Sequence, residues 1–277
     1  AWLTWPLMAL VQEMCARIGL ATGRGLAANI RAFLPRPLLY LTTLVLLAAN
    51  TFNLGADLGA MAAAGKLIWP GLNHLTLLIV PTAVILIAQI FFSFRLFAAV
   101  LKWLTLVLLA YVLTAFFIDG LDWGTVWRSA VKIDLSFDRS SIMLVAAILG
   151  TTISPYLFFW QTAQEVEGEI AEGQTTIAGR QSAVTPAIIK DMRLDVWLGM
   201  FFSNLVMFFI ILVTGATLHP MGITEIGTSA EAAAALRPLA GDQASLLFSL
   251  GIIGTGLLAV PILSGSASYA LSESFGW

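Results

Sequence analysis

Within Leu149 to Gln161 the chain places Gly150, Thr151, Thr152, Ser154 and Pro155 inside an apolar run. A proline at 155 has no N–H to give the carbonyl four residues back, and its ring pushes against that carbonyl. The Thr151 oxygen is thereby released from the helical ladder. In hydrocarbon a freed backbone group is tolerated where it meets protein, water or a ligand, so broken helices at membrane depth line ion and substrate sites. Thr151 and Ser154 are therefore candidates to line an ion or substrate site, with Gly150 and Pro155 marking the break. The alternative reading is a proline kink repaired by the hydroxyl of Thr152 or Ser154.

Other polar residues fall in apolar segments. Asn50, Asn53 and Asp57 recur at i, i+3 and i+7 and share one helix face. A carboxylate at membrane depth is costly, and its default reading is ion binding or proton relay; the alternative is a protonated or paired Asp57. Small residues at 55/59 and 56/60 are expected to let a neighbouring helix approach closely. Asn204, preceded by Ser203, is a candidate partner of the break or a hydrogen bond between helices. Counting from Ser154, positions 158, 161 and 165 share a face, so Gln161 and Glu165 extend a polar path away from the break; they also suit a headgroup interface. Gln12 and Glu13 stand near the inner end of the first segment.

These residues need spanning helices to position them. The 277 residues are 59% hydrophobic and 11% charged, with mean hydropathy +0.90, whereas soluble domains are roughly 25% charged. A polytopic membrane protein follows, with the bilayer as its first partner. Seven apolar segments lie near 1–20, 38–64, 75–97, 100–118, 141–163, 195–218 and 244–264, each near the roughly 20 residues a span requires. Lys and Arg divide nine to five between alternate connections, with Arg17, Arg24, Arg31, Arg36, Arg95, Lys102, Arg180, Lys190 and Arg193 on the richer side. The positive-inside rule puts that side in the cytoplasm. Trp69, Trp123 and Trp127 fall at the ends of outer segments, as an aromatic belt does. The acidic run from Glu165 to Glu172 reads as a solvated helix end or as an ion-attracting vestibule.

Several classes are disfavoured. A net charge of -2 lacks the basic excess of a nucleic-acid binder. Cys15, the single cysteine, makes no internal disulfide and no zinc pattern, and His74 and His219 are isolated. No catalytic constellation or phosphate loop is present, so an enzyme is not expected and no cofactor is implied. The chain starts at Ala1 inside an apolar segment and is read as an internal piece of a longer protein.

Three stretches carry a resemblance to the Nramp family of divalent-metal transporters. Val11-Gln12-Glu13-Met14-Cys15-Ala16-Arg17-Ile18-Gly19-Leu20-Ala21-Thr22-Gly23-Arg24-Gly25-Leu26-Ala27 is similar to the end of that family's second helix and the turn after it. The helix of Asp57 is similar to its third, and Gly150 to Gln161 to its unwound sixth; Leu236-Arg237-Pro238-Leu239 to Ser264 resembles the eighth. The resemblance implies an all-α polytopic membrane protein with a LeuT-like inverted-repeat fold of the APC superfamily, incomplete here, forming one transporter domain over 1–277. It also implies alternating access with the metal held between unwound first and sixth helices. The first helix, with its Asp-Pro-Gly-Asn-like motif, is absent from this sequence.

Two departures bear on the ion. The family's sixth helix carries Met-Pro-His, supplying a thioether; here Ser154-Pro155-Tyr156 stands there. Thioethers suit softer transition metals, whereas hydroxyl, carbonyl and water oxygens suit Mg²⁺ or Mn²⁺. The family also keeps two histidines linked to proton movement, and those positions hold Tyr156 and Gln161, neither of which titrates near neutral pH as histidine does. The combination resembles an Nramp-related branch associated with Mg²⁺. The expected function is import of Mg²⁺ or Mn²⁺ across the plasma membrane, with the Thr151 carbonyl and Ser154 as metal ligands and Tyr156, Gln161, Asn204 and Asp57 as pathway or coupling residues. The metal is substrate rather than cofactor, and H⁺ is a second partner where Asp57 preserves coupling; nucleic acid is not a partner. Three rivals remain: a conventional proton-coupled Mn²⁺/Fe²⁺ importer, a LeuT-fold carrier of an organic substrate, and a non-transporting membrane sensor or scaffold.

Overall fold

The computed structural model describes residues 2, 4–91, 103, 106–131, 138–223, 225–236 and 241–277. The described residues are helical and contain no strand. In chain order the helices are α1 (Thr4–Thr22), α2 (Leu26–Phe33), α3 (Arg36–Ile68), α4 (His74–Phe91), α5 (Leu109–Phe116), α6 (Trp123–Val131), α7 (Arg139–Thr152), α8 (Pro155–Ala171), α9 (Ile177–Ala183), α10 (Pro186–Leu218), α11 (Ser229–Ala234) and α12 (Ala244–Phe275). Among the described residues five stretches are long and apolar enough to cross a membrane: Arg36–Ile68, His74–Phe91, Ser141–Ala171, Pro186–Met221 and Gly241–Phe275. Several helices run past the apolar segments on which they are built. α8 continues through the acidic run to Ala171, and α10 begins at Pro186, so the connection between them holds the short α9 rather than a long loop. The expected segment near 100–118 falls partly outside the described residues, as does the start of the Leu236–Ser264 stretch.

Two compact units make up the chain. One comprises 1–51, 129–204 and 262–277. Here α1 lies directly against α8: a Cβ at Gly19 would stand 2.8 Å from the Thr162 carbonyl oxygen, and the Thr162 hydroxyl donates to the Cys15 carbonyl at 3.2 Å. α3 is pinned to the end of α12 by Asn50, whose Nδ2 donates to the Leu263 carbonyl and the Ser266 hydroxyl, both at 2.9 Å. Thr43 and Ser274 share a hydroxyl hydrogen bond at 2.8 Å. Ala27, Leu39, Leu46, Phe159 and Ala270 form an apolar core in this unit.

The turn from α1 into α2 passes through Gly23 at φ +60°, a left-handed conformation that glycine takes without a Cβ penalty. Asn29 closes the turn by donating to the Thr22 hydroxyl and to the carbonyls of Arg24 and Gly25 at 2.9–3.0 Å. Buried Arg180 ties α9 to it, donating to the Gly23 carbonyl at 3.0 Å and to those of Gln174 and Thr175 at 3.1 Å. A buried guanidinium satisfied by carbonyls fixes geometry, since leaving it unpaired would be expensive.

The second unit comprises 52–128 and 205–261. Met61, Ile85 and Val260 form one buried cluster, and Tyr111, Phe209, Val213 and Phe248 belong to another. The Ser249 hydroxyl donates to the Ala64 carbonyl at 2.8 Å. The close helix approach expected at Gly55 and Gly59 is not found there, for a Cβ at either would meet nothing within 4 Å. It occurs at Gly256, which leaves room for the Met61 side chain, and at Gly65, beside Leu77.

Candidate ion site at the broken helix

The break falls between α7 and α8, at Ile153 and Ser154. Pro155 disfavours the helical region for the residue before it, and Ser154 is extended at φ −90°, ψ 125°. Proline then suits the first position of α8, where its missing N–H costs nothing. The Ile153 amide still reaches the Leu149 carbonyl at 2.8 Å, and the Leu157 amide caps the Ser154 carbonyl at 3.0 Å. Gly150 remains helical, so the residue that breaks the helix is Pro155 acting through Ser154.

The Thr151 carbonyl that loses its amide partner gains a hydroxyl. Ser154 Oγ lies 3.0 Å from both the Gly150 and Thr151 carbonyl oxygens and shares its proton between them. The threonines turn back in the same way: Thr151 Oγ1 is 3.0 Å from the carbonyls of Ala147 and Ile148, and Thr152 Oγ1 donates to that of Ile148 at 2.8 Å. Ser154 is 6% exposed. The hydroxyl repair and the oxygen site are thus compatible. Each carbonyl oxygen keeps a second lone pair, and the serine oxygen keeps its own acceptor capacity while donating. The C-terminal end of α7 carries partial negative charge, the sign a cation requires, while the facing start of α8 carries the opposite sign. Among the described residues no group of three His, Cys, Asp or Glu side chains clusters closely enough to hold a metal.

A polar line runs along α8 from the break. Gln12 of α1 is 3% exposed and donates to the Leu157 carbonyl at 3.3 Å and to Gln161 Oε1 at 3.1 Å. Gln161 Nε2 in turn donates to Glu165 Oε1 at 2.6 Å. The helical spacing of 161 and 165 showed that face in the sequence, but Gln12 as its third member depends on α1 lying against α8. Beside it, Glu13 binds Arg17 at 2.6 Å and Arg193 at 3.4 Å, and accepts from the Trp197 indole at 2.6 Å. Tyr156 packs on the core of Leu39 and Phe159.

Asn204 bonds elsewhere. Its Nδ2 contacts the Met200 carbonyl at 3.0 Å and Met8 Sδ at 3.1 Å, and its Oδ1 accepts from the Thr4 hydroxyl at 3.2 Å. Of the two expectations for Asn204, these contacts match the hydrogen bond between helices. Asp57 lies in the second unit, half-buried, with no hydrogen bond or ion pair among the described residues. Asn53 of the same face is exposed, and Asn50 is spent on α12.

A profile of the Nramp family, described as natural resistance-associated macrophage protein-like, matches residues 2–277. The chain belongs to the Nramp family. It is similar to proteins named divalent metal cation transporter MntH: 27% identical over 274 residues to that of Chromohalobacter salexigens, covering 95% of this chain and 61% of the relative. The MntH of Yersinia pestis is 26% identical over 253 residues, covering 90% and 58%, and that of Yersinia enterocolitica 26% over 261 residues, covering 92% and 59%. The chain therefore spans about 60% of the length of the curated relatives it matches. Membership makes it a multi-pass membrane protein of the LeuT-type fold, in which an interrupted helix such as α7–α8 is a regular component.

Proposed function

We propose that this chain supplies one transporter domain's broken-helix half-site to a plasma-membrane secondary transporter that imports a hard divalent cation, Mg²⁺ before Mn²⁺, by alternating access. The observation that carries this reading is Ser154 at the break, joined to the Gly150 and Thr151 carbonyls. It offers the cation oxygen where the family offers sulfur, and oxygen donors suit hard ions. Mg²⁺ sheds water reluctantly, so a few protein oxygens that hold a partly hydrated ion suffice. The richer basic connections lie on the cytoplasmic side, and the line Gln161–Glu165 with Gln12 leads from the site toward it. The names of the MntH relatives support divalent-metal transport as the class, and a transporter rather than an enzyme. The test is uptake by the full-length protein in proteoliposomes. Mg²⁺ and Mn²⁺ should both enter, and entry of Fe²⁺ or Cd²⁺ alone would refute the hard-ion reading.

A second reading, proton-coupled Mn²⁺/Fe²⁺ import, is favoured by Asp57, a half-buried carboxylate with no hydrogen bond or ion pair among the described residues. It requires internal acidification on metal addition that Asp57→Asn abolishes; the first reading expects Mg²⁺ entry without that dependence.

A further inference from the structure

A cleft of about 440 Å³ opens in the first unit between α2, α9 and the end of α12, lined by Arg24, Arg31, Ile177, Glu273 and Trp277. The half-buried Arg24 guanidinium makes no hydrogen bond or ion pair among the described residues. That of Arg31 reaches, among the described residues, the Glu273 backbone carbonyl at 3.4 Å. The Glu273 carboxylate does not neutralise them, because it is turned to the start of α2 and accepts from the Ala28 amide at 3.0 Å. Two guanidiniums thus share a cleft with one carboxylate that forms an ion pair with neither among the described residues, leaving the lining net positive, and planar guanidinium is the side chain best matched to phosphate oxygens. Ala28, Ala32, Ile177 and Trp277 supply the apolar part of the lining. Along the chain from Arg31, Phe33 is 78% exposed and Leu34 47%, and exposed Tyr40 and Phe275 lie 6.0 Å apart. Basic side chains beside exposed aromatic and aliphatic ones are the composition of a membrane interface.

We infer that this cleft binds the phosphate headgroup of an anionic phospholipid of the cytoplasmic leaflet, with Arg24 and Arg31 on the phosphate and Phe33 and Leu34 against the acyl chains. Free phosphate shares the headgroup chemistry, but only a lipid uses the apolar side chains. The inference rests on the cytoplasmic placement of α2 and is independent of the ion at Ser154. The experiment purifies the full-length protein, places it in phosphatidylcholine nanodiscs containing phosphatidylglycerol, and measures retained lipid by native mass spectrometry. Phosphatidylglycerol should be retained over phosphatidylcholine, fall at least fivefold in R24Q/R31Q, and return in R24K/R31K. If R24Q/R31Q does not fold, R31Q alone, at an exposed position, should still lower retention. Equal retention by wild type and the glutamine variants overturns the inference, as does equal retention of phosphatidylcholine. So does displacement of all retained lipid by millimolar inorganic phosphate.

Discussion

The Ser154 hydroxyl stands 3.0 Å from the Thr151 carbonyl, the group that Pro155 deprives of its amide. A serine in this position does two things at once. It keeps the carbonyl from being an orphan, and it adds an oxygen to the end of α7. Ser154→Ala removes both, leaving the carbonyls of Gly150 and Thr151 without their hydroxyl donor. Gly150 and Thr151 are exposed, so the lost hydrogen bonds cost about 0.5–1.5 kcal/mol rather than the full penalty of a buried orphan. Metal uptake by the full-length Ser154→Ala protein should fall, because an oxygen donor is lost from the end of α7. Ser154→Met should shift selectivity toward Cd²⁺ relative to Mg²⁺. Uptake of both ions in proteoliposomes reads the change, and an unaltered Cd²⁺/Mg²⁺ ratio would remove Ser154 from the site.

Gly19→Ala tests the seating of α8 on α1. The added methyl would meet the Thr162 carbonyl oxygen at 2.8 Å, with Thr162 Cγ2 at 3.2 Å and Glu165 Cβ at 3.3 Å. The nearest atom is backbone, so no rotamer change relieves it. Overpacking of this kind costs about 1–3 kcal/mol. The thermal midpoint in detergent should drop, and uptake should fall with it because Gln12 loses its register against Leu157 and Gln161. Gly55→Ala, at open space, should leave the midpoint within error.

The two substitutions also mark where sequence reasoning ended. The break was legible because proline chemistry is local: Pro155 alone dictates an extended Ser154 and frees Thr151. The 161/165 face was legible from helical periodicity. The interhelical hydrogen bond of Asn204 was one of the two roles its polarity in an apolar segment suggested, but its partners Thr4 and Met8, like the roles of Gly19 and Gln12, were not legible because they depend on residues more than a hundred positions away. Gly55 and Gly59 misled for the same reason: a small residue permits a close approach, but whether a helix takes it up is decided by packing elsewhere, here at Gly256 and Gly65.

The pH response of the loop before α11 follows from its cap. Glu231 accepts from the amides of Gly227 at 2.8 Å and Thr228 at 3.0 Å, while the Thr228 hydroxyl accepts from the Glu231 amide at 3.2 Å. The Gly227 and Thr228 amides hold the Glu231 carboxyl below its ordinary range. A pKa depressed on folding gives stabilisation that is complete above the unfolded value, about 4.3, and is lost as pH falls through the lower folded value. Hydrogen exchange at the Gly227 and Thr228 amides, corrected for its intrinsic pH dependence, should therefore show protection fading in that acid window. Glu231→Gln, which accepts without titrating, should flatten the profile.

Glu13 joins α1 to α10 through the Trp197 indole and the Arg193 guanidinium, and also braces Arg17 one turn along its own helix. The two arginine side chains are 48% and 58% exposed whereas Glu13 is 7% exposed, so the ion pairs are screened and worth little by themselves. Of the Glu13 contacts, the main tie between the helices is the short indole hydrogen bond to a charged acceptor, of a kind contributing about 1.5–3 kcal/mol. Glu13→Gln retains an acceptor for the indole and should cost the smaller part of that figure. Glu13→Leu strands the half-buried indole N–H and should cost most of it. Thermal midpoints in detergent at low and high salt separate the contributions: a large loss in Glu13→Gln that disappears at high salt would assign the tie to the arginines instead of Trp197.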